Sequence, residues 1–192
     1  LSTIPSFTPY LKASSETPER LHVNSPPGGL AVGIVWATNP NNNKMYRDKS
    51  IMLSLIMPLF LELIHLDLIE LHSLQVGFDS KQLMPWSNHD RIFDWAEVLT
   101  DFSDTAHVVD QLDLVISVDT AVAHLAAALN KPVWLLLPFS ADFRWLRSRF
   151  DSPWYPAMRV FRQDSPADWQ SVLSQLRHSI DQLFGMDIKS LQ

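Results

Sequence analysis

The run from Val115 to Leu129, "VISVDTAVAHLAAAL", changes character at its middle. Up to Val118 it is apolar and largely β-branched; from Thr120 it is rich in alanine. The first part reads as the end of a buried strand, Leu112–Val118, and the second as a helix, Thr120–Asn130. Asp119, Thr120 and His124 stand around the join. In one reading Asp119 caps the helix by accepting from its first-turn amides, and His124 is a half-buried helix residue. In the other, the amides of Thr120, Ala121 and Val122 open toward an anion. Thr120 and His124, four residues apart, then share a face. A carboxylate repels phosphate, so in this second reading Asp119 accepts from sugar or ribose hydroxyls.

Working outward, apolar runs alternate with helical patterns. Leu30–Ala37 is a continuous apolar strand, followed by a polar loop, Thr38–Ser50, and a helix, Ile51–Ile64, containing Pro58. Leu68–Val76 and Arg91–Ala96 read as strands two and three, with a loop over Phe78–Asp90 between them. Asp104–Leu112 reads as a helix, Pro132–Pro138 and Met158–Gln163 as strands five and six. Ala167–Phe184 is an amphipathic helix with Gly185 placed to cap it. The pattern predicts an α/β fold: a Rossmann-like three-layer domain with a mainly parallel sheet of about six strands. Its expected limits are a linker or arm over residues 1–29, the domain over 30–185, and a tail over 186–192. The arm carries five prolines and one expected helical turn near Thr17–His22. Such sheets bind ligands beyond the carboxyl ends of their strands. The Thr38 loop, Gln75, Asp119 and Phe139–Arg144 all follow strands there.

Composition narrows the function. The 192 residues are 46% hydrophobic and 19% charged, the balance of a globular domain with a substantial core. A net charge of −6 argues against a broad nucleic-acid-binding surface. The absence of cysteine removes disulfides, thiolate zinc sites and thiol nucleophiles, and agrees with a cytoplasmic location. The longest apolar run, Ile51–Ile64, is too short to span a membrane, and no signal peptide is recognisable. The chain starts at Leu1 rather than Met; processing, or a place as the C-terminal part of something longer, would each account for that. The seven histidines show no metal-ligand spacing, so no metal is expected. No GxxxxGK[ST], GxGxxG or GxSxG element is present.

Two polar segments remain. "TNPNNNKMYRDKS" (Thr38–Ser50) is either a solvated turn or a set of donors around a diphosphate. "DFRWLRSRFDSPWYP" (Asp142–Pro156) reads as a packed loop with exposed guanidinium groups; stacking on a base, contact with phosphate and a partner interface are its other readings.

Taken in order, "VGIVWATNP", "SLQVG", "DFSDTAHVVDQLDLVISVDTAVAHLA", "NKPVWLLLP" and "DFRWLRSRFDSPWYPAMRVFRQ" resemble a known family. The block Asp113–Pro138 is similar to the signature of the C-terminal domain of ADP-heptose:lipopolysaccharide heptosyltransferases, glycosyltransferase family 9. It is closer still to glycosyltransferase-like proteins in which tetratricopeptide (TPR) repeats precede a two-domain GT-B unit. "PYLKASSETPERL" resembles the segment that crosses into this domain. The resemblance implies a donor-binding half that takes a nucleotide-diphosphate sugar, with acceptor and catalytic base in an N-terminal domain upstream. By position it places Thr38, Asn39 and Lys44 near the diphosphate. It has Asp119, Thr120, Ala121 and His124 line the donor pocket, and Gln75, Asp104 and Thr105 lie near the nucleotide or support that wall. The family's Asp-Thr-Gly is Asp119-Thr120-Ala121 here, its Gly-Asn-Pro is Thr38-Asn39-Pro40, and Lys44-Met45 and Lys49-Ser50 stand where it has Asn-Asp and Arg-Ser. No cofactor beyond the donor, no catalytic residue and no membrane span are implied. The alternative is a degenerate, non-catalytic Rossmann-like module that holds partners through its Trp-rich surface; a nucleotide- or sugar-phosphate-processing enzyme of another α/β family is a third reading.

Overall fold

The structure is a computed structural model and describes residue 4 and residues 6–23 and 29–186. Six strands form one sheet in the order β3-β2-β1-β4-β5-β6, every pair parallel. They are β1 (Leu30–Val35), β2 (Ile69–Ser73), β3 (Ile92–Asp94), β4 (Leu114–Val118), β5 (Val133–Leu137) and β6 (Met158–Arg162). Five helices cross between or follow them: α1 (Asn43–Lys49), α2 (Leu53–His65), α3 (Phe102–Asp110), α4 (Ala121–Ala128) and α5 (Trp169–Phe184).

The strands are apolar throughout because both sheet faces are covered. Residues alternate along β1: Val32 and Ile34 enter a core with Phe60 of α2 and Leu176 of α5, while Ala31 and Val35 enter one with Val108 of α3 and Ala123 of α4. This is the three-layer fold expected from the sequence. Gly33 sits on the α3 face, where a Cβ would meet Leu112 Cδ1 at 2.6 Å and Leu74 Cδ1 at 3.0 Å. Gly33→Ala should therefore overpack that layer and cost about 1–3 kcal/mol, read as a lower urea midpoint with an unchanged m-value. A midpoint equal to the parent's would show that the two leucines yield without strain.

Two expectations change, and the position of one proline is settled. The Thr38–Ser50 segment is not all loop: Asn42 accepts from the Met45 amide and starts α1. Phe78–Trp86, expected as loop, winds as a 3-10 segment. Pro58 lies well inside α2, beyond its first turn. The described part of the arm packs on the sheet domain and has its helical turn where the sequence placed one. Leu21, in a 3-10 turn at Glu19–Leu21, is completely buried in the α3 and α4 core. The amides of Tyr10 and Leu11 donate to Ala128 O at the end of α4, and Gln111 of the α3 end accepts from Val23 N and donates to Leu21 O. Of the expected tail, only Met186 falls among the described residues; the helix before it closes on Gly185, left-handed at φ 64° as anticipated.

A buried polar pair occupies β2. Glu70 and His72 point to the α3 side of the sheet, with His72 Nε2 3.8 Å from Glu70 Oε2. The Trp95 indole donates to His72 Nδ1, which places the remaining imidazole proton on Nε2. Burial pushes the imidazole down to about 4 and raises the Glu70 carboxyl above its usual value. Unfolded His72 takes its proton near pH 6.5, the folded one only near 4, so His72 costs stability as pH falls through that window. Glu70 acts with the opposite sign, because the folded carboxyl is protonated first. Glu70→Gln removes that offset, so its urea midpoint should fall more steeply than the parent's between pH 6.5 and 4.5. Parallel slopes would mean that the pair does not set the acid limb.

Candidate functional site

The strand order reverses between β1 and β4, the place where open α/β sheets part their loops to admit a ligand. A cleft of about 660 Å³ opens there. Its walls are the chain after β1 (Ala37–Pro40), the chain after β2 (Leu74–Asp79), the entry to α3 (Leu99–Phe102), and the β4–α4 junction (Asp119–Val122). Thr38, Asn39, Gln75, Thr105, Asp119, Thr120 and Ala121, seven of the ten residues expected at the site, line it. Lys44, Asp104 and His124 do not.

Each wall is held by groups the sequence places locally. Gln75 Oε1 accepts from the amides of Trp36 (3.2 Å) and Ala37 (2.9 Å), so its side chain ties the end of β1 to that of β2. Thr38 N donates to Ser50 Oγ, folding the loop back on the end of α1. Asn39 accepts from Asn41 N in a tight turn. Thr105 Oγ1 donates to Asp101 O, one turn back along α3. Asp104 lies behind this wall: Arg20 and Thr100 both donate to it, and these bonds, Arg20's first, hold its carboxyl down to about 2.

The β4–α4 junction departs from the capped reading. Thr120, not Asp119, is the N-cap, in extended geometry, and its side chain caps nothing. Its hydroxyl instead pairs with Ser117 Oγ at 3.0 Å. Asp119 turns away from the helix and accepts from Lys49 Nζ at 2.5 Å; the two side chains are only 4% and 10% exposed. The first-turn amides of α4 are thus left without a side-chain partner beside the cleft, and the nearest carboxylate is neutralised by a buried ammonium. An anion at that turn meets the positive end of the helix and no net negative charge from this pair. Ala121 keeps an ordinary negative φ, so the backbone there does not require the glycine found in the family signature.

The sequence placed Lys49 only among the possible diphosphate donors of the Thr38–Ser50 loop, not as the partner of Asp119. Its pairing depends on α1, whose turns send Lys49 inward and Lys44 outward. Lys44 is 85% exposed, sits 3.4 Å from Asp48, and lines a separate depression that also touches Phe139 and Trp169. Tyr46 of the same helix donates to Asp79 Oδ1 and fixes α1 against the cleft's floor; that bond raises the phenol above its usual value. Met45, Phe78 and Phe102 expose apolar surface at the cleft rim, a feature no sequence pattern singled out.

His124 shares a helix face with Thr120 yet opens to a different cavity. It stacks on Trp145 (centroids 5.1 Å apart), its Nδ1 lies 3.0 Å from the Tyr155 hydroxyl, and its Nε2 lies 4.0 Å from Asp119 Oδ1. Burial lowers its imidazole below the usual value, against the opposing pull of Asp119. Among the described residues no group of three His, Asp or Glu side chains is placed to hold a metal, and no helix is long and apolar enough to cross a membrane.

Comparison with known proteins falls on the same region. The family model for glycosyltransferase family 9 (heptosyltransferase) matches residues 98–137, the stretch that holds α3, β4, α4 and β5. No curated protein matches the sequence. The E. coli heptosyltransferase WaaC, solved with ADP, superposes with a TM-score of 0.53 at 18% identity, over 84% of this chain and 46% of that one. E. coli ADP-heptose LPS heptosyltransferase II gives 0.51 at 14% identity over 80% and 47%. A glycosyltransferase family 9 protein from Veillonella parvula gives 0.50 at 14% identity over 77% and 40%. The chain spans under half the length of each of these structures. The all-parallel six-stranded sheet of this order is the fold shared with these heptosyltransferase structures, and the glycosyltransferase family 9 match falls at its switch point.

Proposed function

We propose that this chain binds the nucleotide-diphosphate part of a sugar donor and serves as the donor half of a two-domain glycosyltransferase. The observation that carries this reading is the uncapped first turn of α4, open to a cleft at the sheet's switch point, with Asp119 already neutralised by Lys49. In this reading the diphosphate lies against the amides of Ala121 and Val122, with the Thr120 hydroxyl beside it. The base lies between the apolar surfaces of Phe78 and Phe102. A nucleoside diphosphate as ligand agrees with the ADP present in the WaaC structure.

Glycosyl transfer also needs a base for the acceptor hydroxyl, and donors that stabilise the departing diphosphate. The cleft supplies the second. Its acids are engaged: Asp119 with Lys49, Asp101 as the cap of α3, and Asp79 with Tyr46 and Gln82. The base therefore comes from an accompanying domain. Titration calorimetry of the 192-residue chain against ADP, UDP, GDP and their sugar conjugates should give one saturable site. The chain alone should turn over none of these donors. Silence across the panel would favour an interaction module without a donor site, and transfer by the chain alone would place a base in it.

A further inference from the structure

A second cavity, of about 570 Å³, lies on the other side of the β4–α4 junction. Its lining is Tyr10, His124, Phe143, Arg144, Trp154 and Tyr155, and it shares no residue with the nucleotide cleft. The two abut where His124 Nε2 approaches Asp119 Oδ1. Four of the six lining residues are Tyr, Phe or Trp; hydrogen bonds fix three of them, and Phe143 stands exposed at the rim. The Trp154 indole donates to Arg144 O at 3.0 Å, which orients its ring. Tyr155 is held by His124 on one side and by the Tyr10 hydroxyl, at 3.3 Å, on the other. Tyr10 is itself anchored by its amide to Ala128 O. His124 lies flat on the buried Trp145.

The polar groups of this cavity are matched to one kind of ligand. Two phenols and an imidazole form a row in which each hydroxyl both donates and accepts, as sugar hydroxyls do. The one cation, Arg144, is tied through Nε to Asp142 Oδ1 at 2.8 Å, so the guanidinium is already paired. Flat apolar walls with a neutral, two-way hydrogen-bonding edge suit a ring that has an apolar C–H face and a rim of hydroxyls.

We propose that this aromatic cavity is a saccharide subsite for a neutral pyranose ring, separate from the donor nucleotide and placed beside it by the His124–Asp119 contact. The inference rests on the glycosyltransferase reading only for the ring's role as a second substrate; the binding itself does not. The ring stacks on the rim aromatics and bonds through the Tyr10 and Tyr155 hydroxyls, with His124 holding Tyr155 in place.

The test uses the full chain and methyl glycosides of neutral hexoses, followed by tryptophan fluorescence and by the NMR signal of the Trp154 indole N–H. A saturable shift is expected, unchanged when the cleft is saturated with ADP. Phe143→Ala, which truncates a ring 81% exposed and thus spares the fold, and Trp154→Ala should each weaken glycoside binding by about tenfold. ADP binding should change by less than about twofold in either variant. The proposal is overturned if no glycoside shifts the signal, if Phe143→Ala and Trp154→Ala both bind as the parent does, or if a methyl glucuronide binds tighter than the neutral rings. Displacement of the glycoside by ADP, or by a nucleotide sugar when ADP does not displace it, also overturns it, by placing the ring in the cleft or on the donor. ADP binding without glycoside binding would sink this subsite and leave the donor reading intact; the converse result would do the reverse.

Discussion

Lys49→Met should be the most damaging single change at the site, lowering stability by about 3–5 kcal/mol, because it strands Asp119 as a lone buried carboxylate. The side chain it removes is barely exposed, and solvent cannot take over its role. Urea unfolding measures the loss directly. The double variant Lys49→Met/Asp119→Leu separates the pair's worth from the penalty of an orphaned charge. Replacing both partners by apolar groups should recover most of the loss, since such replacements are often neutral or stabilising. Lys49→Arg, which keeps the charge, should sit near the parent. A Lys49→Met midpoint within about 1 kcal/mol of the parent would mean that water reaches Asp119 and that the pair is not a closed one.

Thr120→Asp should separate folding from binding by moving them in opposite directions. Thr120 occupies the N-cap in extended geometry but spends its hydroxyl on Ser117. Aspartate there can accept from the free first-turn amides and also faces the positive helix end, so stability should rise by about 0.5–1 kcal/mol. The same carboxylate occupies the donors proposed for the diphosphate and repels it at close range. Affinity for ADP should fall on the order of a hundredfold, since like charges about 4 Å apart repel by a few kcal/mol at a partly screened site. Calorimetry and urea unfolding on one preparation give both numbers. A variant that is stabilised yet binds ADP as before would move the diphosphate away from α4. A variant that loses both would show that Thr120 matters only through Ser117.

The strands were legible because burial on both faces leaves an unbroken apolar run, and Leu30–Val35, Leu114–Val118 and Val133–Leu137 carry that signal with little ambiguity. Their parallel pairing followed from alternation with helices. Helix α1 was not legible, because it has no apolar stripe: it is held by one cap at Asn42, one phenol bond from Tyr46 and one buried ammonium at Lys49. The cap is local but carries no periodicity, and the two long-range contacts reach partners 33 and 70 residues away. For the same reason the sequence offered Lys44 and Lys49 alike as loop donors and could not show that Lys49 turns inward to Asp119 while Lys44 faces out. A shared helix face was also too coarse a guide to His124. Its orientation is set by Tyr155 and Trp145, which arrive from the β5–β6 connection, and they turn the ring into a neighbouring cavity.

The buried Leu21 and the bonds from Tyr10 and Leu11 to the end of α4 bear on how this domain can be exchanged between proteins. The inheritable unit does not begin at the first strand. A recombination point drawn at residue 30 would carry away the sheet and leave behind the plug for its α3 side, the partner of Asp104 and one wall of the aromatic cavity. Any shuffled or grafted version that works should therefore bring residues 8–23 with it, so that this strap and the sheet travel between architectures as one module.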